Sequence, residues 1–208
     1  MNLPEFKEFP KIARLNRDII VTEKIDGTNG LIYINEENNI FAGSRTRWLD
    51  DHNDNFGFYH WVIENKEDLL QLGKGFHYGE WMGKGIQRGY RLNEKRFYLF
   101  NTLRWIDIYT LPEAARREYK DEYLDKIRKE YNNDKLEYCP ECCYVVPILY
   151  QGLFSQAMIE NCLMTLKEKG SIAIPNYMNP EGVVIYHKVA NMGFKVTIKN
   201  DEKPKGAQ

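Results

Sequence analysis

Glu23-Lys24-Ile25-Asp26-Gly27-Thr28-Asn29-Gly30 is the stretch on which the reading of this chain turns. Before it, Asp18-Ile19-Ile20-Val21-Thr22 is apolar and β-branched and reads as a strand. After it, Leu31-Ile32-Tyr33-Ile34 reads as a second strand. Gly27 and Gly30 permit the backbone angles of a tight turn between the two. Lys24 therefore stands at a strand end beside a turn, with Asp26 two positions on. That setting suits a nucleophilic amine. A free lysine has a pKa of about 10.4, so only about one in 2,500 is neutral at pH 7. An attacking amine must be neutral, and burial or nearby cations lower its pKa. Taken alone, the short pattern reads better as a surface Lys-Asp pair at a hairpin end, which is worth little. The rest of the chain has to decide.

The chain has 208 residues, enough for one large domain or two small ones. Hydrophobic residues make up 43% and charged residues 28%, ordinary for a soluble globular protein. Aromatic residues reach 13%, with 14 Tyr, which suits either a β-rich core or stacking surfaces. The net charge of −1 excludes an overall basic field, so any nucleic-acid surface must be a local patch. No apolar run is long enough to span a bilayer, and Met1-Asn2-Leu3-Pro4-Glu5-Phe6 is no signal peptide, so a cytoplasmic protein is expected. Cys139-Pro140-Glu141-Cys142 is a single C-x-x-C, with Cys143 and Cys162 besides. Without a second ligand pair at suitable spacing, reduced thiols are expected rather than a zinc site.

Phe6, Phe9 and Ile12 are expected to pack a leader onto the core. Asn35–Asn39 is a polar turn into a third strand, Ile40-Phe41-Ala42, antiparallel to Leu31–Ile34. That strand delivers Ser44-Arg45-Thr46-Arg47. Residues 58–72 read as one amphipathic helix burying Trp61, Ile63, Leu69, Leu70 and Leu72. An aromatic strand then delivers Gly79-Glu80, followed by the glycine-rich run Gly83-Lys84-Gly85-Ile86-Gln87-Arg88-Gly89-Tyr90. Arg96–Leu103 reads as a buried strand. Residues 111–133 read as a helix with an apolar stripe at Ala115, Tyr119, Tyr123, Ile127 and Tyr131. Tyr144–Tyr150 reads as one strand interrupted by Pro147. Ser155 caps a helix running to about Lys169, with Gly170 as its stop. Pro180-Glu181-Gly182-Val183-Val184-Ile185-Tyr186-His187 and Gly193-Phe194-Lys195-Val196-Thr197-Ile198-Lys199 read as the last two strands.

Lys24-Ile25-Asp26-Gly27 resembles motif I of the covalent nucleotidyltransferases, the superfamily of ATP-dependent DNA ligases, RNA ligases and mRNA-capping guanylyltransferases. The longer form through Asn29 looks more like the RNA ligases, although many of those carry His where this chain has Asp26. Ser44-Arg45 resembles motif Ia, Tyr78-Gly79-Glu80 motif III, Arg96–Leu103 motif IIIa, Glu181-Gly182-Val183-Val184 motif IV and Lys195–Lys199 motif V. The run Gly85–Tyr90 is similar to a loop of RNA-ligase-like proteins from phages and bacteria. The six motifs come in the family's order and cover nearly the whole chain.

The resemblance implies an α+β, ATP-grasp-like nucleotidyltransferase domain: two antiparallel sheets flanked by helices, with a nucleotide cleft between them. It implies one adenylyltransferase domain over residues 1–208, with no C-terminal OB-fold or helical domain. It assigns catalysis to Lys24, Lys195 and Glu181, and nucleotide binding to Glu23, Asp26, Gly27, Asn29, Arg45, Glu80, Phe100, Lys195 and Lys199. Phe100 would stack on the base, and Glu181 would hold Mg2+ or Mn2+. Arg45, Arg47, Gln87 and Arg88 are candidate nucleic-acid contacts. The expected activity is ATP-dependent joining of RNA 5′-phosphate and 3′-hydroxyl ends, including nicked duplex, through lysyl-AMP. An accessory nucleic-acid-binding protein and a virus or phage origin fit the same reading. A minimal DNA ligase, a GTP-using capping-type enzyme and a non-catalytic nucleotide- or RNA-binding module are the alternatives.

Overall fold

The run of β-branched residues before the lysine forms β1 (Asp18–Lys24), and the two sheets of the fold are arranged about its end. A computed structural model describes residues 4–111, 116 and 119–199. After β1 come β2 (Thr28–Ile34), β3 (Ile40–Gly43), α1 (Phe58–Glu64), α2 (Lys66–Leu69), β4 (Gly75–Gly83) and β5 (Lys95–Leu99). Then follow β6 (Trp105–Ile106), α3 (Lys120–Tyr131), β7 (Glu137–Tyr138), β8 (Cys143–Val145) and β9 (Ile148–Leu153). The last elements are α4 (Gln156–Lys169), β10 (Gly182–His187) and β11 (Met192–Thr197).

One sheet has the order β11-β10-β1-β9 and is antiparallel throughout. The other has the order β3-β2-β4-β5-β8, antiparallel except for β8, which runs parallel to β5. A two-stranded parallel ladder, β6 with β7, lies outside both. The parallel pairs depart from the expected all-antiparallel design, because β5 reaches β8 through a long crossover carrying α3.

Side chains alternate across each strand, so each sheet has one face for a helix and one for the space between the sheets. Ile19, Val21, Val183 and Ile185 pack on Ile159, Cys162 and Leu166 of α4. Ile32, Ile34, Trp81 and Phe97 pack on Phe58 and Val62 of α1. Each fully buried side chain of this kind contributes about 1.5–3 kcal/mol. A third cluster, with Ile25, Met82, Tyr90, Tyr98, Val146 and Tyr177, joins the two sheets at one end and leaves a cleft between them. Among the described residues no helix is long and apolar enough to cross a membrane.

Several sequence expectations need correction. The helix expected over 58–72 breaks at Asn65, whose backbone is non-helical and whose side chain donates to the Trp61 carbonyl at 2.8 Å. Its buried residues are Phe58, Val62, Leu69 and Leu72, while Ile63 faces solvent. The strand expected over 144–150 is two strands, β8 and β9, in different sheets. Pro147 has no N–H to continue a ladder, and its carbonyl instead accepts from Glu23 N at 3.0 Å as the chain crosses over. The leader does not pack: Phe6, Phe9 and Ile12 are exposed. Among the described residues it is fastened near its end, where His187 Nε2 bonds the Leu15 carbonyl at 3.0 Å and Phe154 N donates to Arg17 O at 3.0 Å. Lys199 lies past the end of β11 at Thr197 rather than on the strand. The first half of the helix expected over 111–133 falls largely outside the described residues, and the described helix starts at Lys120 with Tyr119 exposed before it.

The buried strand expected over 96–103 ends at Leu99, and Phe100 and Leu103 beyond it are exposed. Two expectations stand as read. β3 pairs antiparallel with β2. The Ser155 hydroxyl accepts from Met158 N at 3.3 Å at the start of α4, and Gly170 ends it with φ +83°.

Candidate active site

Lys24 ends β1, directly opposite Gly182 at the start of β10. That register brings Glu181 beside it, and Lys24 Nζ lies 2.6 Å from Glu181 Oε2. Both side chains are largely buried, at 18% and 6% exposure. The Glu181 carbonyl accepts from Ile198 N at 2.9 Å, which fixes the residue against the end of β11. A side chain at Gly182 would run into the Val196 carbonyl, so glycine is needed where the three strands meet.

The turn after Lys24 is held from two other elements. Gly27 N donates to Glu80 Oε1 at 3.0 Å, from β4. Asp26 N donates to the Tyr90 hydroxyl at 2.8 Å, and Asp26 Oδ2 lies 2.9 Å from Arg88 Nε, both from the glycine-rich loop. A Cβ on Gly27 would collide with the Trp81 carbonyl, so the turn can approach β4 this closely only with glycine there. Asn29 pairs with Glu80 across β2 and β4.

A cleft of about 1120 Å³ opens between the sheets, and Lys24, Asn29, Glu80 and Phe100 all line it. That volume is ample for a nucleotide-sized ligand. Phe100 follows the end of β5 and is 42% exposed, so it is not a core filler; its ring faces space a base could occupy. Burial pushes the Glu80 carboxyl up to about 7, against the pull of Lys24 and the Gly27 N–H. At neutral pH it thus stands near the midpoint of its titration, able to accept or donate a hydrogen bond to a hydroxyl.

The remaining predicted residues take varied positions. Lys195 sits on β11 opposite Val184, whose side chain lines the cleft, so both lie on the cleft face of the sheet. Lys199 is exposed beyond that strand. Glu23 lines the cleft, yet its carboxylate accepts from Ile172 N at 2.8 Å and Ala173 N at 2.9 Å, fastening the loop after α4. Burial pushes that carboxyl above the usual range, while these N–H groups pull it back. Arg45 and Arg47 are exposed in the turn after β3. Gln87 is exposed with φ +45°, whereas Arg88 is engaged by Asp26.

Two residues that shape the site escaped the sequence reading. Tyr90, buried beneath the turn with its ring tilted against Tyr177 at 4.5 Å, holds the Asp26 backbone, and the only signal was an aromatic residue closing a glycine-rich loop. Arg104 lines the cleft with its guanidinium over the Trp105 ring, and nothing in its local pattern marks it. Cys139, Cys142, Cys143 and Cys162 are free thiols. Among the described residues no cluster of three or more His, Cys, Asp or Glu side chains is arranged to hold a metal.

Solved structures with a similar fold include those of the RNA ligase of Naegleria gruberi. An arginine-to-alanine variant with ATP and Mn matches at TM-score 0.52 and 19% identity, over 89% of this chain and 51% of that one. An aspartate-to-alanine variant in apo form matches at TM-score 0.53 and 20% identity, over 93% and 53%. A glutamate-to-alanine variant with ATP and Mn matches at TM-score 0.53 and 20% identity, over 95% and 58%. The chain spans about half the length of the first structures it matches. At this identity the likeness is one of fold. No curated protein matches the chain. The family model described as RNA ligase matches residues 17–200, from the start of β1 through the end of β11, and the chain belongs to that family.

Proposed function

We propose that the chain is an ATP-dependent RNA ligase that works through a lysyl-AMP intermediate. The observation that carries this reading is Lys24 Nζ at 2.6 Å from Glu181 Oε2, in a cleft also lined by Glu80 and Phe100. In this reading Phe100 stacks on adenine and Glu80 bonds the ribose hydroxyls. Lys24 attacks the α-phosphorus of ATP; the new N–P bond forms as the bond to the bridging oxygen breaks, and pyrophosphate leaves. The amine has to shed a proton first, and the Glu181 carboxylate is the nearest base to receive it. Lys195, on the cleft face, offsets negative charge on the phosphate.

Glu181 also fits a divalent cation, because Mg2+ and Mn2+ accept oxygen donors and one carboxylate suffices when phosphate oxygens complete the shell. Such an ion would neutralise phosphate charge. AMP then passes from Lys24 to a 5′-phosphate of RNA. A 3′-hydroxyl attacks that activated phosphate, forms the phosphodiester and releases AMP. The Naegleria proteins were solved with ATP, AMP and Mn, which supports the same choice of nucleotide and ion for this chain.

Incubation with α-labelled ATP or GTP and a divalent cation, followed by denaturing electrophoresis, tests the reading. Label is expected from ATP and none in Lys24→Ala. Label from GTP alone would indicate a capping-type enzyme. Label persisting in Lys24→Ala would remove Lys24 from its role.

A further inference from the structure

The second sheet carries an aromatic row that the cleft chemistry does not use. On the face shared with Glu80 and Asn29, successive cross-strand positions hold Tyr78, Phe76, Tyr33 and Phe41, and Trp48 lies against Gly43 beside them. Phe76 and Tyr33 stack with centroids 4.4 Å apart and planes at 25°, and Tyr33 and Phe41 at 6.0 Å and 29°. Phe76 and Tyr78 are stacked at 6.3 Å. Trp48 is 6.2 Å from both Tyr33 and Phe41, tilted to the first and edge-on to the second. Despite these mutual contacts, Phe41, Trp48, Phe76 and Tyr78 remain 45–56% exposed. Aromatic rings left in water on this scale mark an interaction surface.

Three features identify the occupant. The row is continuous with the cleft, since Phe76 and Tyr78 line the same cavity as Lys24 and Phe100. Its outer end lies beside the Ser44–Arg47 turn, where Arg45 and Arg47 have no carboxylate partner among the described residues. The nearby carboxylates of Asp51 and Asp54 are both engaged by His60, at 3.0 and 2.7 Å. Rings that extend a base stack, beside uncompensated guanidinium groups, are the chemistry of a single-stranded polynucleotide: every base has a π-face and every nucleotide a phosphate. Arg47 donates to the Asp54 backbone carbonyl at 3.4 Å, which leaves its charge unneutralised, and a protein partner would use the rings but would not call for arginines without a carboxylate partner at their edge.

We infer that this face is a stacking track for single-stranded RNA, leading unpaired nucleotides out of the cleft past Phe76, Tyr33 and Phe41 to Arg45 and Arg47. The inference rests on the ligase reading for its choice of RNA, but it is testable apart from catalysis.

The test is fluorescence anisotropy of a short fluorescein-labelled single-stranded RNA with the full chain, comparing wild type, Trp48→Phe and the pair Phe41→Ala, Trp48→Ala. Neither Phe41 nor Trp48 lines the nucleotide cavity, so lysyl-AMP yield from ATP should be the same in all three. Base stacking on an aromatic side chain is worth about 1–3 kcal/mol, so the double variant should bind at least about tenfold more weakly. Trp48→Phe, which keeps a ring, should stay close to wild type. Unchanged affinity in the double variant overturns the inference. So does an equal loss of affinity for fully paired duplex RNA, whose bases offer no free face, or dissociation of a wild-type dimer by the same substitutions. Absence of adduct from wild type, with RNA binding still lost in the double variant, would reject the ligase reading and leave the track standing.

Discussion

Arg88 Nε lies 2.9 Å from the Asp26 carboxylate, tying the glycine-rich loop to the turn that follows Lys24. Tyr90, two residues on, takes the Asp26 backbone N–H at 2.8 Å. The loop is thereby a clamp on the nucleophile's turn. Both charged side chains are partly shielded, at 27% and 18% exposure, so their attraction is less screened than that of a surface pair.

Arg88→Ala and Asp26→Ala should therefore each slow lysyl-AMP formation, and by the same route. In a double-mutant cycle their coupling should be about 1 kcal/mol, close to fivefold in rate. Single-turnover labelling with ATP measures it. Effects that simply multiply would mean that the two residues act separately and that Arg88 is free to serve RNA instead.

This clamp shows what was legible in the chain and what was not. The strands that carry Lys24 and Glu80 and lead to Phe100 were legible in the local apolar pattern, but the roles expected of these residues came from the resemblance to the ligase motifs, not from that pattern. The partnership of Lys24 with Glu181 spans 157 positions and depends on the β1–β10 register, which local pattern does not set. Arg88 was a candidate nucleic-acid contact, and nothing in the loop's sequence signals its pairing with Asp26. The passage of the chain between sheets at Pro147 was hidden for a related reason. A proline signals that a ladder stops, but not that another sheet takes up the strand.

Glu80 should give stability a pH dependence of its own. Its carboxyl is pushed by burial to about 7 from an ordinary 4.5. Below about pH 4.5 folded and unfolded chains both hold this proton, so its contribution is fully present. As pH rises toward 7, the unfolded chain releases the proton while the folded chain retains it. The unfolded state then binds fewer protons, and stability falls until the folded group has also titrated. The shift corresponds to about 3 kcal/mol at most. Glu80→Gln keeps an acceptor for the Gly27 N–H and removes the titration. Urea unfolding across pH 4.5–8 should show a shallower decline for the variant than for wild type. Parallel declines would place the pH dependence on other buried acids, such as Glu23 and Asp107, whose carboxyls burial also raises.

Glu23 was expected to bind nucleotide, and its environment argues for an architectural role that can be separated from binding. It is 1% exposed, and Oε2 alone receives both the Ile172 and Ala173 N–H groups. The same loop brings Tyr177 onto Tyr90, so Glu23 supports the clamp on Asp26 from behind. Glu23→Ala would take the acceptor from two partly buried donors, at about 1 kcal/mol each. It should unfold at distinctly lower denaturant and form adduct poorly. Glu23→Gln offers one carbonyl oxygen in the same place and carries no charge to desolvate, so it should match wild type in stability at pH 8 or exceed it. If the role is architectural, this variant should also bind ATP and form lysyl-AMP as wild type does. A stable Glu23→Gln protein with much weaker ATP binding would instead put the carboxylate's charge to work on the nucleotide.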